Sequence, residues 1–228
     1  LPITVGRATR LFDYLQHGEK VYVGEFLLGV TTDTYDTCGE VLSRCPVAVS
    51  QDAVAQAMVK LTGEIEQVPP MYSSIKVGGR RLHQLARKGE TVAVPSRRIT
   101  VHAFELLDMP AMERIRFRVR CSKGTYVRTL AHDLGKALGC GACLSVLIRT
   151  RTGVFDLENA YTLPQLKAAQ SRGELNGLIH SPDLPLEHFA ALRYPEDCES
   201  RFRNGQRLPL TPDVAVKESG ALARLYCG

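Results

Sequence analysis

Arg114-Ile115-Arg116-Phe117-Arg118-Val119-Arg120-Cys121-Ser122-Lys123-Gly124-Thr125-Tyr126-Val127-Arg128-Thr129-Leu130-Ala131 changes period halfway along. Up to Cys121, basic and apolar residues alternate. A strand would carry Ile115, Phe117, Val119 and Cys121 on one face and four arginines on the other. From Val127 the apolar residues Val127, Leu130, Ala131, Leu134 and Leu138 recur at helical spacing, closed by Gly139. A strand running through a short turn into an amphipathic helix predicts a sheet and a helix sharing one core. Gly124 permits the tight turn. The helix start offers free N–H groups and the positive end of its dipole beside Lys123 and Arg128, a seat for an anion. Tyr126 there supplies a flat ring or a hydroxyl. On spacing alone, a well-capped turn with a core tyrosine is the stronger reading of these residues.

Outward from this stretch, strands and helices mix without a regular βαβ rhythm. Ala8 to Leu15 places Leu11, Phe12 and Leu15 on one helical face, and Lys20 to Val30 reads as a strand. Thr31 to Gly39 is turn chemistry, with aspartates able to accept from nearby backbone N–H groups. Ser50 caps a helix whose face is Val54, Met58 and Leu61 and which Gly63 ends. Pro69-Pro70 forces an extended segment. A short helix buries Leu82, Leu85 and Ala86, then Ile99 to Leu107 and Val154 to Leu157 read as strands. Thr162 to Ala169 reads as a helix with Pro164 in its first turn. Prolines 182, 185 and 195 mark a boundary, with strand candidates beyond it at Arg207 to Leu210 and Ala221 to Cys227. The expected fold is α+β over residues 1–182, followed by a small β-rich module over 183–228.

The 228 residues carry a formal charge of +5, so the distribution of charge matters more than its size. Between Lys76 and Arg98 stand seven basic residues against the single acid Glu90, and a second basic group runs from Arg114 to Arg128. Together they predict a surface for polyanions; either alone reads equally well as a solvated face. Met71 to Arg87 joins an extended segment to a basic helix through Gly78-Gly79, a place suited to phosphate contacts or to an exposed hairpin. Seven scattered cysteines predict a reduced, cytoplasmic protein. Cys140 and Cys143 form a CxxC, but no second ligand pair at matching spacing accompanies it. It also follows a helix end instead of opening a helix, which argues against zinc and redox chemistry. No apolar run approaches the ~20 residues of a membrane helix. No HxxxH, Ser/His/Asp or GxxxxGK[ST] pattern stands out.

Several motifs line up in order with one family. Leu1 to Arg10, Lys20-Val21-Tyr22, Thr32-Asp33-Thr34-Tyr35-Asp36, Pro70-Met71-Tyr72-Ser73-Ser74-Ile75-Lys76, Cys121 to Thr129, Leu138 to Ala142 and Leu147 to Thr150 resemble, over residues 1 to 170, the TruB family of bacterial tRNA pseudouridine synthases. Phe202 to Gln206 is similar, more weakly, to the start of the RNA-binding PUA domain often appended there. The resemblance implies isomerisation of the uridine at position 55 in the tRNA T-arm, without cofactor or metal, by a protein that flips the base out of its loop; a monomer is expected. It implies that Tyr22 stacks on the uracil and helps move its C5 proton. Tyr126 and Leu147 then line the pocket, and Arg128 orients the catalytic carboxylate. Lys76, Arg80 and Arg81 sit near the RNA backbone.

Two departures follow. The family's catalytic aspartate precedes the Leu-Pro-Ile stretch and so is expected upstream of Leu1. The 228 residues alone are expected to give no turnover, and a non-catalytic tRNA binder or folding chaperone is the rival reading. Asp33 and Asp36 fall on the turn motif and are not its replacement. Ile148 stands where the family usually has an arginine, which leaves one helper interaction open.

Overall fold

In the computed structural model, which describes all residues except 91, 209–221 and 228, a 3-10 turn at Gly6–Leu11 leads into helix α1 (Phe12–His17). Strand β1 (Lys20–Leu28) ends where Gly29, at φ 77°, turns the chain out of the sheet, so the expected single strand to Val30 is split. β2 (Val30–Thr32) pairs with β3 (Val41–Arg44) around the Asp-rich turn. Ser50 caps α2 (Gln51–Lys60) as expected, its Oγ accepting from the Ala53 N–H at 3.2 Å. β4 (Gly63–Gln67) follows, then the short hairpin of β5 (Lys76–Val77) and β6 (Arg80–Arg81) and helix α3 (Leu82–Ala86). β7 (Arg97–Ala111), β8 (Arg114–Cys121), α4 (Val127–Leu138), β9 (Ala142–Thr152) and β10 (Phe155–Asp156) complete the first compact unit, Leu1–Pro2 with Gln16–Ala160. The second unit joins Ile3–Leu15 to Tyr161–Gly228. In it α5 (Leu163–Ser171) opens on a capping box of Thr162 and Gln165, and β11 (Ala190–Tyr194) and β12 (Ala223–Cys227) pair in parallel, with α6 (Glu199–Arg203) between them in sequence.

Six strands form the central sheet in the order β10-β9-β1-β8-β7-β4, each neighbour antiparallel. Period-two alternation in β8 dries one face: Ile115, Phe117, Val119 and Cys121 are each 0% exposed. Across β1 the same face carries Phe26, which stacks on Phe117 at 4.0 Å between ring centroids. Helices α2 and α4 cover it; Val127, Leu130, Ala131 and Leu134 of α4 are buried. Two glycines allow the close approach. A Cβ on Gly24 would lie 2.3 Å from the Val146 carbonyl oxygen, and one on Gly135 would lie 2.1 Å from the Ala142 nitrogen. Gly139 ends α4 in the left-handed conformation, φ 77°.

The opposite face corrects one expectation. The arginines of β8 project outward as read, yet each meets an acid from a neighbouring segment. Arg114 pairs with Glu25, Arg116 with Asp108 at 3.3 Å, Arg118 with Glu105 at 3.9 Å and Arg120 with Glu19 at 3.0 Å. Each of the four arginines is matched by an acid, so the run is not a row of unpaired cations. Glu25 and Glu19 lie 89 and 101 residues from their arginines, while Asp108 is only 8 from Arg116; all fall outside the run in which the basic residues were counted.

Other elements differ at their edges. β9 was not expected, because two register shifts against β1, at Val21/Tyr22 and Glu25/Phe26, break the alternation that marks a strand. β4 and β11 were likewise unread. Of the strand expected at Arg207 to Leu210, the last two residues lie outside the described residues, and Arg207 and Leu208 are not in a strand. Ala221 also lies outside them.

The two faces differ in energetic weight. Phe117→Ala should cost about 3–5 kcal/mol in urea unfolding, the usual toll of emptying a core aromatic site. Arg118→Ala should cost no more than about 1 kcal/mol, as for exposed ion pairs. Equal costs would contradict this assignment of faces.

Candidate active site

The turn from β8 into α4 is fixed from its backbone. Gln67, at the end of β4 and 1% exposed, accepts from the Tyr126 N–H through Oε1 at 2.7 Å and donates from Nε2 to the Tyr126 carbonyl at 3.1 Å. Ser122 Oγ accepts from the Thr100 N–H at 2.9 Å, and Thr125 Oγ1 donates to the Ser122 carbonyl at 3.0 Å. Tyr126 is the N-cap of α4 without capping it through its side chain. The amide of Gln67 holds this junction across 59 residues of sequence, which no local pattern could reveal.

Arg128 lies in the first turn of α4 and its Nη1 donates to Asp36 Oδ2 at 3.0 Å. Asp36 belongs to the turn between β2 and β3. Its Oδ1 accepts from the Cys38 N–H at 3.0 Å and from Thr34 Oγ1 at 2.8 Å, and its carbonyl accepts from Thr32 Oγ1 at 2.7 Å. Asp33 Oδ1 accepts from the Glu40 N–H at 2.8 Å and Asp33 also takes the Tyr72 hydroxyl, a bond that holds the phenol above its ordinary pKa. Both aspartates are turn residues as read. Asp36 is in addition the carboxylate that Arg128 meets, a role the sequence did not suggest. The Thr-Asp-Thr-x-Asp pattern of residues 32–36 was the only local signal.

Tyr22 sits in β1 opposite Val119 of β8 and Arg149 of β9, on the dried face that Gly24 and Phe26 share. It packs against the core cluster, and burial pushes its phenol up while the Arg149 guanidinium works the other way. Leu147 lies opposite Gly24 on that same face and remains 41% exposed. Lys20, two residues before Tyr22, pairs with Cys121 and Thr152 across the ladders. Its amine donates to the carbonyls of Gln16 at 3.0 Å and Gly18 at 3.1 Å. Burial, then the Arg149 charge, lowers its pKa. Tyr22 and Leu147 therefore share the inner face of the β1–β9 ladder. Tyr126 and Arg128 stand at the start of the helix that covers that face.

Lys76, Arg80 and Arg81 are placed apart from these, on the β5–β6 hairpin closed by Gly78 and Gly79 at φ 56° and 81°. All three are exposed. Arg80 is held by both carboxylate oxygens of Glu90, each at 3.1 Å. Cys140 and Cys143 are 7% and 0% exposed, and burial raises both thiols, which leaves them poor nucleophiles. Among the described residues no group of three or more His, Cys, Asp and Glu is placed to hold a metal ion, and no helix is long and apolar enough to cross a membrane.

Comparison with known proteins gives a consistent result. Residues 1–127 match the family described as TruB family pseudouridylate synthase (N terminal domain), and residues 128–188 match the tRNA pseudouridylate synthase B C-terminal domain. The tRNA pseudouridine synthase B of Cupriavidus pinatubonensis is 42% identical over 233 residues, covering 100% of this chain and 73% of its own length. That of Moorella thermoacetica is 44% identical over 237 residues, with 100% and 76% covered. Among solved structures, a chain in a Cbf5-Nop10-Gar1 complex superposes with a TM-score of 0.71 at 26% identity. The match covers 100% of this chain and 62% of that one. A second, from an H/ACA RNP bound to a substrate RNA, gives a TM-score of 0.68 at 24% identity, evidence of shared fold alone.

The Gln67 clamp carries a prediction. Gln67→Leu leaves the Tyr126 N–H without its partner and should cost about 1–3 kcal/mol in urea unfolding, the usual penalty for such a group. It should also speed hydrogen exchange at the Tyr126 amide. Unchanged stability and protection would show that Gln67 does not set the start of α4.

Proposed function

The chain belongs to the TruB family of pseudouridylate synthases, and from that membership we propose that the protein isomerises the uridine at position 55 in the T-arm of tRNA to pseudouridine. The reaction breaks the ribose C1′–N1 bond and forms C1′–C5. The uracil loses its C5 proton and gains one at N1, so the net change is an isomerisation. It needs no cofactor and no metal.

One observation carries the reading most directly: Arg128 is held by Asp36 at the first turn of α4, over the sheet face that presents Tyr22. A guanidinium has five N–H donors, and Asp36 engages it through Nη1. Other donors remain to orient a second carboxylate, the catalytic aspartate that the family places ahead of the residue matching Leu1. Tyr22 stacks on the extruded uracil and assists the C5 proton. Its half-buried, raised phenol stays protonated at neutral pH and can donate. Tyr126 packs against the base from the helix start. Leu147 keeps an apolar side chain partly exposed on the same face, where it excludes water once RNA is bound. Lys76, Arg80 and Arg81 contact the T-arm backbone as a monomer binds it, and residues 183–228 form a PUA-like RNA-binding module.

Two measurements test this. Protein that includes the segment the family places ahead of the residue matching Leu1 should release tritium from tRNA labelled at uracil C5. Tyr22→Ala should slow release roughly 10- to 100-fold, since base–aromatic stacking is worth about 1–3 kcal/mol. No release from the unsubstituted protein would overturn the enzyme in favour of a tRNA-binding or tRNA-folding role. The double change Arg80→Ala with Arg81→Ala should flatten the log–log salt dependence of tRNA binding by about one unit for each phosphate left without its cation. An identical slope would mark both side chains as merely solvated.

A further inference from the structure

Two adjacent residues of one turn hold α4 at two points. Asp36 takes Arg128 at 3.0 Å, while Tyr35 lays its ring on the imidazole of His132, with centroids 4.2 Å apart and planes 18° from parallel. Arg128 and His132 are i and i+4 neighbours on one face of α4. In an extended chain successive side chains point to opposite sides. Tyr35 breaks that alternation with a left-handed backbone, φ 62°, which no other non-glycine among the described residues adopts. The Leu144 N–H donates to the Tyr35 carbonyl at 2.9 Å, and the Thr37 N–H donates to the Leu144 carbonyl at 2.9 Å, so the turn is also tied to β9.

The ion pair alone does not fix this geometry. The side chains of Arg128 and Asp36 keep 33% and 22% of their exposure, so water competes for both. The ring stack adds a second contact one helical turn away.

We propose that Tyr35 and His132 are positioning residues: their stack keeps Asp36 against Arg128 and so keeps the guanidinium aimed into the site. The effect on turnover rests on the synthase reading above; the effect on Arg128 does not. In the 228-residue chain, exchange of the Arg128 side-chain N–H protons, followed by NMR, reports the ion pair, and Asp36→Asn sets the value for a broken one. Tyr35→Ala and His132→Ala should each bring that exchange close to the Asp36→Asn value. Tyr35→Phe and His132→Phe, which keep a flat ring, should leave it as in the unsubstituted chain. In protein that includes the family's segment ahead of the residue matching Leu1, the alanine variants should lower kcat about tenfold with KM for tRNA within about twofold, the pattern expected when an interaction made only in the transition state is removed. An unchanged Arg128 signal in the alanine variants, failure of the phenylalanine variants to rescue, or a changed signal with unchanged kcat overturns the assignment. If the unsubstituted protein releases no tritium, the synthase reading fails, and the Arg128 signal decides this inference by itself.

Discussion

One face of an antiparallel sheet has to be kept dry, and α4 is the element that lies on the most apolar part of it. Phe26, Ile115, Phe117 and Val119 are wholly buried there, against Leu130, Ala131 and Leu134 of the helix. Burial of that size drives the association, at about 25 cal/mol per Å² of apolar surface removed from water. The helix follows β8 after a five-residue link, Ser122 to Tyr126, so its position is set by packing and its start by the link. Its first turn therefore comes to the sheet face that carries Tyr22. Arg128 and Tyr126 owe their placement to this constraint before any interaction of their own is counted.

Charge is arranged on the same logic. The arginines of β8 alternate with the core residues, so they must face outward, and a row of unpaired cations on adjacent positions would repel. Glu19 and Glu25 flanking or within β1, and Glu105 and Asp108 on β7, answer them one by one. The four arginines of β8 are thereby paired, and the cations with a proposed role stand elsewhere: Arg128 at the start of α4, and Lys76, Arg80 and Arg81 on the hairpin. Arg80 is already engaged by Glu90, so its contact with a phosphate would require exchanging one anion for another.

What the sequence made legible was whatever repeats at short range. The alternation of Arg114 to Cys121, the helical spacing from Val127, the Ser50 cap and the left-handed stop at Gly139 all appear where their residues predict. β9 escaped because its two bulges spoil the period that would have marked it, and Gly29 cut a strand that looked continuous. At the candidate site, the motifs point to Tyr22, Tyr126, Arg128 and Leu147 but not to the partners that Tyr126 and Arg128 meet. Asp36 meets Arg128 across 92 residues, Gln67 meets Tyr126 across 59 and Glu19 meets Arg120 across 101. Such pairs are set by the register of distant strands, and no window along the chain contains both members.

The most direct trial of a uridine site on the inner face is a crystal structure of the protein bound to a T-arm stem-loop. The expected result is a nucleotide turned out of its loop, its base against the Tyr22 ring and the start of α4, with the RNA backbone along the β5–β6 hairpin. An RNA lying instead on the outward arginines of β8, with Tyr22 untouched, would contradict it.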